Sequence, residues 1–418
     1  HGEQLVKNGL SFTPVENCFA SIFPNGKWLG ISNNYDSNVS QISKFSKNDA
    51  DIWKKLTESF PEESSHIFRL LGNSLSFKNI LSLFFKLYRK KGLKGTLDFI
   101  RFLMASPRNW LDENFESEEV RATMAAWGMH LDFAPDTAGG ALFPYLESMA
   151  NQSFGMVLGQ GGADTIIKAM VKYINSNGGV IEYNSEVTEI IHDGMRAESV
   201  KLADGRLIHA KQCIIANVAP SSLLKLANGF KKFDYANGLK KFKHAPGTMM
   251  IHLSMDGLPD WLANDSLKDF AYIHIAPSLD QMAKTYQQAV EGLLPDFPVI
   301  VVGQPTAVDT SRAPDGKHIL WIQVRMVPGI IKGDATEEIE ETEWERAKEL
   351  YSERVLDIIE EFAPKTKEKI ISKRVVSPIE LQNDNPNLVF GDQICGSHHL
   401  TQHFIYRPVR GYTDGKTP

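Results

Sequence analysis

Cysteine is scarce: the 418 residues contain three, Cys18, Cys213 and Cys395, far apart and in no C-x-x-C pair. That excludes a disulfide framework and a zinc knuckle. It favours a reducing, intracellular compartment, cytoplasmic or at a membrane surface. Positive charge is also short. Lys and Arg number 45 against 51 Asp and Glu, a net charge of -6, which is the wrong sign for a nucleic-acid partner. No stretch nears the apolar length that spans a bilayer, and no signal-peptide pattern opens the sequence. No internal repeat or low-complexity tract is visible either. What remains is ordinary globular material, 42% hydrophobic and 23% charged. Its length exceeds what one hydrophobic core serves, so two domains or one discontinuous pair are expected. The opening His1 and the closing Gly415-Lys416-Thr417-Pro418 read as neither a start nor a finish, so a piece of a longer chain is expected.

Periodicity divides the chain. Residues 18–31 alternate around Pro24-Asn25-Gly26, which predicts a hairpin. Ser46 and Asp49 form a helix-capping pattern ahead of Ile52, Trp53, Leu56 and Phe60 at helical spacing. Phe77 to Met104 reads as a second, apolar helix broken at Arg89-Lys90-Lys91-Gly92, and residues 117–150 as a third helical region that loosens from Pro135 through Pro144. At Gly159-Gln160-Gly161-Gly162 the character changes. A helix with Ile166, Ile167, Met170, Val171 and Ile174 on one face follows, and Asn177-Gly178-Gly179 ends it. A strand over Val180 to Tyr183 is expected next, then a hairpin from Glu186 to His192 and Met195 to Leu202, a turn at Asp204-Gly205, and a last strand from Gln212 to Ala216. Beyond Thr248 the pattern is mostly β, with strands at 249–253, 272–275, 299–302 and 318–327. Residues 335–362 predict an acidic amphipathic helix that Pro364 stops, its stripe of Trp344, Ala347, Tyr351, Val355, Ile358 and Phe362 serving as a packing face.

The order of elements from Gly159 to Pro220 carries a resemblance. Gly-Gln-Gly-Gly-Ala, then Gly-Gly-Val-Ile-Glu-Tyr-Asn-Ser-Glu-Val-Thr-Glu-Ile, Ala-Asp-Gly-Arg and Ile-Ile-Ala-Asn-Val-Ala-Pro occur in sequence. This is similar to the second FAD-domain segment of the phytoene desaturase-like proteins of the amine oxidase superfamily. Ala313-Pro314-Asp315-Gly316 resembles the family's Ala-Pro-x-Gly turn. Gly391-Asp392 through Gln402, Phe404, Arg407-Pro408 and Tyr412 resembles the stretch ahead of its C-terminal flavin motif. The likeness covers essentially the whole chain and is greatest to the branch containing pyridine nucleotide-disulfide oxidoreductase domain-containing protein 2.

The resemblance implies an α/β (α+β two-domain) flavoprotein, with a discontinuous FAD-binding α/β domain and a substrate domain of antiparallel sheet and helices. Residues 1–35 are assigned to junction strands, 36–155 to a helical substrate-domain segment, 156–226 to the FAD domain, 227–378 to the substrate-domain sheet and helix, and 379–418 to a return to the FAD domain. It implies non-covalent FAD and removal of a hydride equivalent from a hydrophobic small molecule. Val187, by position, would offer backbone groups to the adenine edge. Gly161 and Gly162, at a helix N-terminus without Cβ atoms, would favour an electronegative partner. Asn217, in the Asn-x-x-Pro stretch, is the fourth cofactor candidate. The bland alternatives are glycines that let helix and sheet pack, and an ordinary strand residue at 187. The family's G-x-G-x-x-G turn is absent from this sequence: the cluster at 159–162 has the wrong spacing and follows no expected strand. The chain as given is therefore expected to bind FAD poorly or not at all, and the intact protein well.

Other chemistry competes weakly. His398, His399 and His403 could hold a metal on a helix, but Gly396-Ser397 predicts a loop and no Glu intervenes. A place beside the flavin or substrate suits them better. Ser397 lacks a G-x-S-x-G elbow. Arg407 fits either a charge partner for reduced flavin or a structural ion pair. Ile80 to Lys94 reads either as a core helix with a solvated basic end or as a basic amphipathic helix at a membrane interface. A non-enzymatic lipid- or partner-binding scaffold is the alternative to an oxidoreductase. No acid or base and no oligomeric state can be named from the sequence.

Overall fold

The described residues of the computed structural model are 2–73, 76–193, 196–227, 229, 233–403, 406, 407 and 409. The chain opens with α1 (Gly2–Lys7), β1 (Phe12–Val15), β2 (Asn17–Ile22) and β3 (Trp28–Ser32). Six helices follow, α2 (Tyr35–Ser43), α3 (Lys47–Gly72), α4 (Phe77–Met104), α5 (Pro107–Asn114), α6 (Glu118–Met129) and α7 (Leu142–Phe154). Next come β4 (Met156–Gly159), α8 (Asp164–Ser176) and the meander β5 (Val187–His192), β6 (Ala197–Leu202) and β7 (Leu207–His209). After α9 (Pro220–Leu226) and α10 (Phe233–Lys240) the β-rich part holds β8 (Gly247–Met255), β9 (Tyr272–Ile275), α11 (Leu279–Glu291), β10 (Leu293–Leu294), β11 (Val299–Gly303), β12 (His318–Val327) and β13 (Gly333–Asp334). It closes with α12 (Trp344–Phe362), β14 (Ile370–Val376) and α13 (Pro378–Asp384).

Seven of these strands form one sheet in the order β14-β8-β12-β11-β9-β2-β3. Every neighbouring pair is antiparallel except β2 with β9. The expected hairpin at 18–31 is the β2–β3 pair. Alternation along the strands sends Ile251, Ile273, Ile300, Ile322 and Val324 to one face, where α12 covers them with Trp344, Ala347, Tyr351 and Val355. The opposite face meets the helical layer. There Phe19 joins a core that includes Trp53, Phe60, Met124 and Leu142. Side-chain oxygens cap several of these helices as the sequence suggested: Ser46 accepts from the Asp49 N–H at 3.1 Å and opens α3. At its C-terminal end Asn177 and Gly178 finish α8, Gly178 in the left-handed region at φ 78°.

Several expectations fail for physical reasons. Residues 180–183 and 212–216 are irregular and form no strand, because among the described residues no neighbouring strand takes their hydrogen bonds. The helix expected over 335–362 begins only at Trp344, since the Asp334 carboxylate holds 335–339 as a turn by accepting from the Glu338 and Ile339 N–H groups. Helicity resumes at Leu142, with Pro144 tolerated in the first turn of α7. Gly159 closes β4, so the 159–162 cluster does follow a strand, one paired with β1. Gly92 breaks α4 as expected, at φ 68°; α4 joins the helical core along one side through Leu87 and Phe99 and leaves most of its other side chains exposed. Met195, Phe404, Pro408, Tyr412 and the residues from 413 to 418 lie outside the described residues.

The Asp334–Arg354 pair ties α12 to the turn that precedes it, with Arg354 donating to both carboxylate oxygens at 2.7 and 2.6 Å. Burial opposes ionisation of Asp334, but hydrogen bonds from Arg354 outweigh it and hold the carboxyl far below its ordinary range. A depressed folded value means the pair stabilises the fold fully above the unfolded carboxyl value, roughly pH 4, and loses this contribution on further acidification. Asp334→Asn is expected to cost about 2 kcal/mol at neutral pH. In chemical unfolding monitored by circular dichroism, the gap to wild type should narrow as pH falls below about 4. A gap that stays constant with pH would refute this reading.

Candidate active site

A cavity of 460 Å³ lies between α6, α7 and the sheet face opposite α12. Helical spacing aligns Glu147, Ala150, Asn151 and Phe154 along one stripe of α7, and all four line it. Trp127 and His130 enter from the end of α6, Met156 from β4, Tyr272 from β9, and Trp321 and Gln323 from β12. Tyr272 and Trp321 face the same side because each pairs in register with Gly303. Their rings meet edge to face at 5.1 Å. Gly303 is required here. A Cβ at that position would stand 2.1 Å from the Trp321 ring.

Behind the aromatic wall two imidazoles touch. His130 Nε2 and His274 Nε2 are 3.3 Å apart, and the Trp127 ring packs on both. Burial lowers the pKa of His274 to about 3; burial, then the nearby His274 and Arg325, pushes His130 well below its ordinary value. Both are neutral at physiological pH. Glu147 is the cavity's one carboxyl, and burial raises its pKa. The walls thus present four large aromatic rings, those of Trp127, Phe154, Tyr272 and Trp321, with amide groups and the uncharged His130 imidazole, a lining that favours an apolar molecule.

Arg325 organises the back of the site. A β-bulge at Met326, φ 59°, interrupts the pairing of β12 with β8 beside Arg325. The guanidinium donates to the His130 carbonyl at 2.6 Å, the Met129 carbonyl at 3.4 Å and Thr248 Oγ1 at 2.9 Å. A cation thereby caps the C-terminus of α6. It is buried, and burial lowers its pKa to about 10, still cationic. Close by, Asp132 accepts from the Tyr286 hydroxyl at 2.8 Å and the His398 N–H at 3.3 Å.

The histidines singled out in the sequence sit on a loop and 3-10 turn, as Gly396-Ser397 suggested. His399 Nε2 lies 2.9 Å from the Tyr286 hydroxyl. Burial first, then Arg407, lowers His398 and His403 to about 4. Arg407 donates to the carbonyls of Ser397, Cys395 and Gly396, which is a structural tie. The four cofactor candidates lie elsewhere. Gly161 and Gly162 stand at the entrance to α8, both with positive φ, and the Gly161 N–H donates to the Asp309 carboxylate at 2.7 Å. Open space lies where a Gly161 Cβ would be. Val187 starts β5, an edge strand of the three-stranded sheet, so alternate backbone groups point out of the ladder. Asn217 is exposed in the irregular segment that leads into α9, which packs on β5. The Asp309 carboxylate thus already takes the Gly161 N–H that the sequence offered to an electronegative partner.

Comparison with known proteins agrees with this architecture. The profile of the family described as flavin containing amine oxidoreductase matches residues 32–378. The chain belongs to this family. Members of the family are flavin-dependent oxidoreductases, and the chain is an oxidoreductase of that kind. It is 22% identical over 449 residues to pyridine nucleotide-disulfide oxidoreductase domain-containing protein 2 of Mus musculus, covering 100% of this chain and 76% of that protein. It is 20% identical over 415 residues to the lycopene-forming phytoene desaturase of Pseudescherichia vulneris, covering 96% and 77%. In fold it is similar to an oxidoreductase from Methanosarcina mazei at a TM-score of 0.53 and 18% identity, over 89% of this chain and 71% of that one.

Sequence reasoning missed the residues that line the cavity. A signal existed: with Leu320, Ile322 and Val324 on one side of β12, Trp321, Gln323 and Arg325 had to share the other. Their meeting with Trp127 and His130 is a long-range event that no local pattern encodes.

Proposed function

We propose that the protein is an FAD-dependent oxidoreductase that removes a hydride equivalent from a C–C or C–N bond of a hydrophobic substrate bound in the 460 Å³ cavity. The observation that carries this reading is the lining itself: Trp127, Tyr272 and Trp321 around a slot backed by neutral His130 and His274. Bound FAD would supply the electron sink. Its nucleotide half would lie along the glycine turn at Gly161 and Gly162, the β5 edge at Val187 and the segment carrying Asn217. The chain's own contribution is to orient the substrate between aromatic faces, exclude water and keep protonated imidazole out of the site. The names of relatives such as the lycopene-forming phytoene desaturase support an apolar substrate.

The test is anaerobic mixing of the FAD-loaded protein with two panels, long apolar polyenes or chains and small hydrophilic amines. Bleaching of the oxidised flavin by the apolar panel, at least about tenfold faster, is expected. Reduction only by hydrophilic amines contradicts the reading.

A further inference from the structure

We propose that the helical layer holds a second binding site, distinct from the cavity beside the sheet, for a small neutral aromatic molecule bearing a hydrogen-bond-accepting oxygen. The site is a cavity of 470 Å³ bounded by α3, α4, α5 and α7. Helix α7 separates the two. Glu147, Ala150, Asn151 and Phe154 form the stripe of α7 that lines the first cavity. At about 3.6 residues per turn Tyr145 falls on the opposite face, and it lines the second. Packed helices leave few voids larger than a water molecule. A volume of this size lies instead within the roughly 300–1,000 Å³ of small-molecule sites. The break of α4 at Gly92 lies beside it, and Gly95 contributes no side chain to fill it.

The lining chooses the occupant. The rings of Phe102, Trp110 and Tyr145 meet pairwise edge to face at 5.6, 5.6 and 5.9 Å. Such a set offers faces and edges on which a further ring can pack. Within it stands a donor that nothing takes. Tyr145 is 3% exposed, and its hydroxyl is buried with no hydrogen-bond partner. Ser59 stands near but outside hydrogen-bond geometry, and its own hydroxyl donates to the Leu56 carbonyl at 3.1 Å. Burial pushes the Tyr145 pKa up, so the group stays a neutral donor. An unmet buried donor is costly, and a ligand oxygen would meet it. Charge on the ligand is disfavoured. Lys91, the one cation in the lining, is paired with Glu63, and Asp98 is exposed. This inference stands on the helical layer alone and does not depend on the reaction.

Ligand-observed NMR titration of the chain with 2-naphthol, naphthalene and 2-naphthoate tests it. The naphthol is expected to bind at least about tenfold more tightly than either of the others, the ratio that one buried hydrogen bond supplies. Tyr145→Phe should weaken 2-naphthol about tenfold and leave naphthalene unchanged. Without ligand its unfolding midpoint should equal or exceed that of wild type, because only an unmet hydroxyl is removed. Trp321→Ala, which alters the other cavity, should leave the affinity for 2-naphthol as it is. The proposal is overturned by any of four results: no binding of 2-naphthol to wild type, undiminished binding to Tyr145→Phe, a lowered midpoint for that variant, or lost affinity in Trp321→Ala.

Discussion

Arg325→Met is expected to destabilise the protein by about 3 kcal/mol, read as a lower midpoint of chemical unfolding. Methionine fills a similar volume, so the loss is electrostatic and not a cavity effect. The carbonyls of Met129 and His130 lose their donor at the C-terminus of α6, and Thr248 loses its partner. Those acceptors sit in a buried region, where an unmet group costs more than a met one gains. The same change frees Trp127 and His130 to move, so substrate affinity should fall along with stability. Arg325→Lys should recover only part of the loss, because an ammonium cannot reach two carbonyls and a hydroxyl as the guanidinium fork does. A midpoint within about 0.5 kcal/mol of wild type for Arg325→Met would show that the bulged cation is not what anchors α6.

Trp321→Ala should lower kcat/KM for the preferred apolar substrate by roughly thirtyfold to a hundredfold, the usual effect of truncating a large aromatic anchor in a binding slot. Stability should change little. The ring stands half exposed over Gly303 and leaves the α12-covered core untouched. Trp321→Phe, which keeps an aromatic face toward Tyr272, should retain most of the activity. An alanine variant that turns over apolar substrate at the wild-type rate would move the reaction away from this cavity.

The sequence made local structure legible where side chain and backbone act on each other within one turn. Ser46 and Asp49 announced α3, Gly92 announced the break in α4, and the alternation of 318–327 announced β12. It misled where a segment's state depends on a distant neighbour. Val180 to Tyr183 and Gln212 to Ala216 have strand composition, yet a strand exists only when another takes its hydrogen bonds, and none does so among the described residues. The stripe on α4 was readable as a stripe, but periodicity does not say what it faces, and here little of the protein covers it. The cavity was the least legible part. His130 and His274 are 144 positions apart in sequence and meet only because α6 ends over the middle of the sheet. Single histidines on a helix end and a strand carry no such message.

Photo-crosslinking tests the central claim most directly. A long apolar chain carrying a diazirine, irradiated with the FAD-loaded protein and mapped by mass spectrometry, is predicted to label peptides containing Trp127, Phe154, Tyr272 or Trp321, with excess unlabelled substrate suppressing the reaction. Labelling confined to α4 or other outer surfaces, unchanged by competitor, would contradict the account.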